Sequence, residues 1–422
     1  MVQIREVISE LNPWWKGKIS TQYKDREIYY EIQKFMKLPQ IIALVGLRRV
    51  GKTTLILKII EDMIKRGFSS KNIIYFSFDE FKDIEIREVI KVYEEVMEID
   101  IKEGKYLFCF DEIQKLHDWE NQLKAVYDVH HKNIKIIISG SESLFIRKKS
   151  KETLAGRIFE FNVDPLSFRE FLNFRGLSFE PRGLYEKELL KTLNEFILSQ
   201  GFPELAGVRE FDVIKKYITE SVIEKVVYKD IPTLFAVKDI SVIKILFDVL
   251  MEEPGQLIEI SKLSKELGMS RQTISQYLFY LEQTFLIRKL YNFSRNKRKI
   301  ERKLKKYYPA FVSPNLLFKE DTYFKSKVFE WLIVNQLKAE FFWRDSYKNE
   351  VDIVLINKKF EPLEIKYGDI ETKGIISFME KFNVKEGKII SLKKEDILKI
   401  NNKVIRIIPA FKFLLEKKRL EA

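Results

Sequence analysis

The chain has a single cysteine, Cys109, so no disulfide can form within it. Cys109 sits in an apolar run and reads as a small core residue. There are only three histidines, and no Cys/His cluster has zinc spacing, which excludes a structural zinc module. No uninterrupted apolar stretch approaches the ~18–20 residues of a membrane-spanning helix. The start, Met1–Glu6, lacks a signal-peptide core. A soluble, cytoplasmic protein is expected. Internal repeats and low-complexity tracts are also missing.

What the chain does have is length and positive charge. Its 422 residues, 45% hydrophobic and 32% charged, suffice for two to four domains. Lys and Arg number 75 against 62 Asp and Glu, a formal charge of +13. This balance favours an anionic partner such as nucleic acid, although many basic proteins bind none.

Residues 1–40 read as helical and end at Pro39. Short apolar runs then alternate with amphipathic stretches. The runs are Ile41–Gly46, Ile73–Phe78, Tyr106–Phe110 and Ile134–Ser139. Continuous apolar runs of this length suit parallel strands covered on both faces, and the stretches between them suit crossover helices. The first ~165 residues are therefore read as α/β.

Residues Gly46-Leu47-Arg48-Arg49-Val50-Gly51-Lys52-Thr53 fit G-x-x-x-x-G-K-[ST]. A strand enters this loop, and a helix with Leu55, Ile59 and Met63 on one face leaves it. Gly46 and Gly51 let backbone N–H groups turn inward on phosphate oxygens, and the helix N-terminus adds partial positive charge. Lys52 is expected on the β- and γ-phosphates of ATP, and the Thr53 hydroxyl on Mg²⁺. Arg48 and Arg49 either touch phosphate or remain solvated. The run Tyr106–Phe110 ends in Asp111-Glu112. Asp111 is expected to hold Mg²⁺ directly or through water, and Glu112 to orient the attacking water. Ser139, in Ser139-Gly140-Ser141, either contacts the γ-phosphate or its water, or simply ends a strand. Arg157 either neutralises charge on the transferred phosphate or is a surface arginine.

Two further segments carry chemistry. Ile258–Leu290 reads as helix, turn, helix, with Gly268 at the turn and Ser270 as N-cap. Arg271, Gln272 and Gln276 share one face, opposite Ile274, Leu278 and Leu281. The run Arg295–Lys306 follows, with eight cations and one acid in twelve residues. The pattern looks like a winged helix whose basic run meets DNA phosphates, or else a lid or spacer. Near the C-terminus, Glu330 lies on an amphipathic helix and Asp352 on an apolar strand. Glu364 and Lys366 follow a turn at Asn357-Lys358-Lys359 and point to one face of a strand. Three carboxylates and one lysine match the D-x(n)-E-x-K core of a metal-dependent nuclease, in which the lysine orients or activates water. A plain salt bridge is the alternative.

Together these features resemble a prokaryotic family, common in archaea, of AAA-like ATPases with a winged-helix segment and a C-terminal PD-(D/E)XK nuclease-like domain. The resemblance is carried by Gly46–Thr54, Phe110-Asp111-Glu112, Ser139-Gly140-Ser141, Ala155-Gly156-Arg157, Pro165-Leu166-Ser167-Phe168, Gly201-Phe202-Pro203-Glu204 and Tyr228-Lys229-Asp230-Ile231. It implies ATP binding and hydrolysis, and it adds Thr54 to the nucleotide-binding residues. The expected division is an ATPase module (1–164), a helical lid (165–237), a winged helix with its basic run (238–310) and an α+β nuclease-like domain (311–422). ATP and Mg²⁺ are the expected cofactors. DNA, a further copy of the chain or a protein partner are the expected partners.

Overall fold

A computed structural model describes residues 2–17, 20–81, 84–141, 152–180, 182–235, 237–356 and 359–416. The chain divides into two compact units, Met1–Pro165 and Leu166–Ala422.

The first unit is built on five parallel strands: β1 (Ile41–Val45), β2 (Ile73–Ser77), β3 (Tyr106–Asp111), β4 (Ile134–Gly140) and β5 (Ile158–Asn162). Their order is β2-β3-β4-β1-β5. Strands β1 and β3 are buried along their whole length, as continuous apolar runs require when helices cover both faces. The helices are α1 (Val2–Leu11), α2 (Glu27–Phe35), α3 (Lys52–Lys65), α4 (Ile86–Met97) and α5 (Trp119–His130). Strand β5 had no clear sequence signal: Ile-Phe-Glu-Phe-Asn is short, half-exposed and alternating, unlike its neighbours. The outer strand β2 is fastened by side chains. Asn12 donates to Tyr75 O at 2.8 Å and accepts from Tyr75 N at 2.7 Å, and Trp15 Nε1 donates to Ile73 O at 2.8 Å. These bonds occupy backbone groups that an edge strand would otherwise leave open.

The second unit begins with α6 (Phe168–Phe174), started by a reciprocal cap between Ser167 and Glu170, and α7 (Glu186–Ser199). A helical stretch from Phe211 to Leu234 contains two π-helical turns, Tyr217–Ile223 and Val226–Asp230. Then come α8 (Ile240–Glu252), β6 (Gln256–Ile258), α9 (Ile260–Glu266), α10 (Arg271–Gln283), β7 (Ile287–Asn292), α11 (Lys297–Arg302) and β8 (Lys305–Pro309). Ser270 caps α10 through Thr273 N at 3.0 Å. The remainder holds α12 (Thr322–Gln336), β9 (Phe341–Arg344), β10 (Glu350–Val351), β11 (Ile353–Ile356), β12 (Phe360–Lys366), α13 (Lys373–Phe382), β13 (Glu386–Ser391), β14 (Asp396–Ile400) and β15 (Lys403–Pro409).

Two five-stranded sheets organise this unit, in the orders β10-β9-β7-β8-β6 and β11-β12-β13-β15-β14. Strand β7 pairs in parallel with β9, Tyr291 facing Phe341, so one sheet takes strands from both sides of residue 310. One apolar cluster likewise runs from Leu166 and Phe168 through Tyr308 to Leu363 and Leu415. The apolar strand expected around Asp352 is interrupted at that residue. Val351 ends β10 in one sheet and Ile353 begins β11 in the other. Asn357 and Lys358, placed in the turn before β12, lie outside the described residues.

Candidate functional site

Gly46 follows β1 directly. A Cβ there would stand 2.2 Å from Val163 O, so only glycine lets the loop leave β1 past the end of β5. Gly51 turns the loop into α3 with φ +92°. Lys52 is buried, and its Nζ donates to Gly46 O at 2.9 Å and Leu47 O at 2.8 Å, inside the loop. Arg49 is exposed on the outer turn at φ 66°, and Thr54 is half-buried in the first turn of α3.

The sheet order brings the acidic residues to this loop. Because β4 lies between β1 and β3, Ser139 ends beside Asp111 and donates to its Oδ1. Thr53 Oγ1 donates to Asp111 Oδ2 at 2.7 Å, and the Tyr75 hydroxyl donates to the same oxygen at 2.8 Å. Burial, then the Asp111 charge, pushes the Tyr75 hydroxyl pKa far upward, so it remains a donor. The Thr53 hydroxyl and the Asp111 carboxylate are hard oxygen donors in contact, with Thr53 open to solvent. That donor set fits Mg²⁺.

Glu112 stands at φ 52°, a left-handed conformation unusual for a glutamate. Its Oε2 accepts from Gln114 Nε2 at 2.6 Å and from Ser141 Oγ at 3.4 Å. Ser139 therefore orients Asp111, while Ser141 and Gln114 hold Glu112.

Arg26 was not legible as a site residue. It is buried, and its guanidinium donates to Val50 O of the loop at 2.8 Å and to Asp164 O at 2.6 Å. It ties the phosphate loop to the chain beyond β5. Arg26→Ala is expected to strand these buried carbonyls, at about 1–3 kcal/mol each, and to loosen the loop. A fall of several degrees in melting temperature together with weakened ATP binding checks this.

Arg157 is not brought to the loop. Its carbonyl accepts from Ile41 N, at the first residue of β1, and its Nε pairs with Asp128 Oδ1 at 2.8 Å. The loop leaves the other end of β1, about 15 Å away at ~3.3 Å per residue. Arg157 therefore stands away from the loop of its own chain.

The C-terminal carboxylates do converge, with additional members. Asp352 Oδ2 accepts from Ile365 N at 2.8 Å, which sets it against β12 beside Glu364 and Lys366. Lys366 Nζ lies 3.0 Å from Glu364 Oε1. Burial opposes the charge on Lys366, but Glu364 outweighs it and raises the pKa, so this lysine is a cation and not a base. Glu330 is present, but its Oε1 accepts from the Tyr308 hydroxyl at 2.6 Å and from Lys306 Nζ at 3.1 Å.

Lys306 changes the reading of the cluster. It was expected to meet DNA at the end of the basic run. Instead it is buried, with Nζ 2.6 Å from Glu350 Oε1 and 3.8 Å from Asp352 Oδ1 in addition to Glu330. Lys327 lies 3.8 Å from Glu330 Oε2, and Arg344 2.7 Å from Glu350 Oε2. Four acids (Glu330, Glu350, Asp352, Glu364) thus face four cations (Lys306, Lys327, Arg344, Lys366). Among the described residues these cations offset most of the negative charge expected to demand a metal. Burial, then Glu330, raises the Asp352 pKa, and burial raises that of Glu364. Among the described residues no group of three acid, His or Cys side chains is arranged to hold a metal ion. As it stands, the donor set does not fit Mg²⁺.

The rest of the basic run is also divided. Lys297, Arg298 and Lys299 are exposed on α11. Arg295 donates to Phe382 O at 3.2 Å, Lys303 to Asn292 Oδ1 at 3.3 Å, and Lys305 stands over the Tyr291 ring. On α10, Arg271, Gln272 and Gln276 are exposed while Ile274, Leu278 and Leu281 are buried.

Residues 38–172 match the sequence profile of an AAA domain, and residues 190–310 that of a domain of unknown function, DUF8612. The chain is 30% identical to the uncharacterized protein MJ1544 of Methanocaldococcus jannaschii, over 79% of this chain and 76% of that protein. An uncharacterized protein of Haemophilus influenzae is 29% identical over 65% of this chain and 67% of its own length. Among solved structures, Cdc6p from Pyrobaculum aerophilum aligns over 74% of this chain and 97% of its own, at 11% identity and a TM-score of 0.31. No helix among the described residues is long and apolar enough to cross a membrane. With its phosphate loop, Thr53–Asp111 contact and matching AAA domain, the chain belongs to the family of MJ1544 and carries a P-loop, AAA-type ATPase domain that binds ATP.

Proposed function

We propose that the protein hydrolyses Mg-ATP and uses its nucleotide state to govern engagement of DNA by residues 238–310. The observation that carries the ATPase half is the Thr53–Asp111 contact beside a Lys52 already turned into the loop. Gly46, Gly51, Lys52, Thr53 and Thr54 would hold the triphosphate, with Arg49 at its outer turn. When bound, Mg²⁺ would supply neutralisation of the phosphate charge. Asp111, set by Ser139 and Tyr75, would carry that ion with Thr53. Glu112, released from Gln114, would orient water.

Arg157 serves such a reaction only from a second copy of the chain. That makes a homo-oligomer part of the reading. Arg157→Ala and Lys52→Ala chains should each be inactive alone, and mixing them should restore turnover because intact loops then meet intact arginines. Mixtures as inactive as their parts would return Arg157 to its pairing with Asp128.

The DNA half rests on α8-β6-α9-α10-β7-α11-β8, the order of a winged helix, with a polar exposed face on α10 and three exposed cations on α11. Binding of duplex, single-stranded and branched DNA with ATP, ADP or neither tests it. The expected result is an affinity that changes at least ~10-fold with nucleotide, a coupling of about 1.4 kcal/mol. No binding at low salt leaves the segment as a lid or spacer.

Residues 311–422 are read as a PD-(D/E)XK nuclease-like domain on the convergence of Glu330, Asp352, Glu364 and Lys366. A second reading, a nucleotide switch whose C-terminal domain is a non-catalytic scaffold for a protein partner, is favoured by one observation: the buried Lys306 among the carboxylates.

A further inference from the structure

The cluster at β8, α12, β10 and β12 has a cation at its centre, and that cation is covalently part of the chain. Lys306 Nζ reaches Glu330, Glu350 and Asp352. It arrives from a strand paired on both sides, with Lys306 opposite Leu257 of β6 and Leu290 of β7. Tyr308, two residues on and on the same face, bonds to Glu330 as well. The nearby Glu364 Oε2 is buried and has no hydrogen-bond partner among the described residues. A Cβ at Gly374 would come within 3.3 Å of that oxygen and 2.0 Å of Glu350 O, so only a glycine lets α13 lie this close to the cluster. The group therefore combines one acceptor oxygen with no donor and one ammonium lodged between the acids.

We propose that Lys306 is the resident counter-ion of these carboxylates and stands where a divalent cation would bind, so that the site takes Mg²⁺ or Mn²⁺ only when the lysine is gone. The inference rests on the reading of Glu330, Asp352 and Glu364 as a cation site. The physical basis is exclusion. Mg²⁺ needs oxygens at about 2.0–2.1 Å, and the Lys306 ammonium is lodged among the same oxygens. A buried lysine in ion pairs with these acids supplies the compensation a metal would otherwise give. Because β8 belongs to the sheet that also contains β6 and β7, whatever rearranges that sheet also controls the cation.

Mn²⁺ bound per full-length chain, counted by paramagnetic resonance without nucleotide, tests this in four proteins: wild type, Asp352→Asn, Lys306→Met and the Lys306→Met/Asp352→Asn double variant. Comparison with Asp352→Asn removes any Mn²⁺ held at the phosphate loop. Wild type and Asp352→Asn are expected to titrate alike. Lys306→Met is expected to gain one Mn²⁺ per chain, lost again in the double variant, and its melting temperature should rise with Mn²⁺ by more than that of wild type or of the double variant. Mn²⁺ bound by wild type but not by Asp352→Asn would overturn the proposal and leave the nuclease reading intact. No additional Mn²⁺ in Lys306→Met would overturn the proposal and the metal-site reading together. If Lys306→Met does not fold, Lys306→Met/Glu350→Gln restores the charge balance and serves in its place. If that protein also fails to fold with Mn²⁺ present, a divalent ion cannot replace the lysine and the proposal falls.

Discussion

ATP turnover is expected to fall by roughly 10³-fold in Lys52→Ala, a loss of ~4 kcal/mol in transition-state stabilisation. Lys52 Nζ is the cation the loop encloses, and the Gly46 and Leu47 carbonyls that hold it cannot replace it on a phosphate. ATP affinity should fall as well, because the charge acts on the bound triphosphate before it acts on the transition state. Glu112→Gln should behave differently. Its amide can still pair with Gln114 and Ser141, so binding survives, while turnover falls by roughly 10²–10⁴-fold with the loss of a carboxylate on the attacking water. Steady-state turnover beside equilibrium binding of a fluorescent ATP analogue separates the two. Unchanged turnover in Lys52→Ala would remove the ATPase assignment of this loop.

The second large effect is on DNA. Lys297, Arg298 and Lys299 are exposed on α11, in contrast to the half-buried Lys303 and Lys305 and the buried Lys306. Three phosphate contacts imply a slope of about −2.7 in log affinity against log salt. Between 50 and 200 mM salt these three residues would then account for ~40-fold in affinity. Reversing all three to glutamate should flatten the slope by at least that amount and weaken binding to every sequence alike, since phosphate contacts carry no sequence information. Substituting Lys303 or Lys305 should alter the slope little. A salt slope untouched by the triple reversal would mean that the basic run is not the DNA contact.

How much could be read from the chain differs between the two sites, for a physical reason. The phosphate loop is contiguous, so motif, entering strand and leaving helix are adjacent in sequence and declare one another. Asp111 was legible because an acid closing a buried strand needs a partner. Tyr75 was not. It sits in an apolar run like any core aromatic, and its hydroxyl gains a role only because β2 pairs with β3 and sets it near Asp111. Arg26 was hidden by its separation of 138 positions from Asp164. At the C-terminal cluster the alternation of Glu364 and Lys366 was plain, and the helix-borne Glu330 was found. Lys306 was misread because a dense run of cations suggests a solvated surface. The available signal was the period of two: Lys306 and Tyr308 share a strand face, and a tyrosine with an inward hydroxyl implies an acceptor there. Arg157 is the converse case. Its sequence neighbourhood is suggestive, but strand direction puts it at the wrong end of β1.

The sheet that crosses residue 310 bears on how this protein can be divided. Excising the last ~110 residues as a fragment would separate β9 from β7 and bare two rows of backbone donors and acceptors, with Phe341 and Phe342 at the cut. Such a raw edge invites strand addition by another molecule. It would also take Glu330, Asp352 and Glu364 away from Lys306, so the fragment would report a chemistry the whole chain does not have. A C-terminal piece that keeps its hydrogen-bond ladder must begin before β6, the compact unit as a whole begins at Leu166, and any exchange of these segments between relatives has to move both halves of the sheet at once.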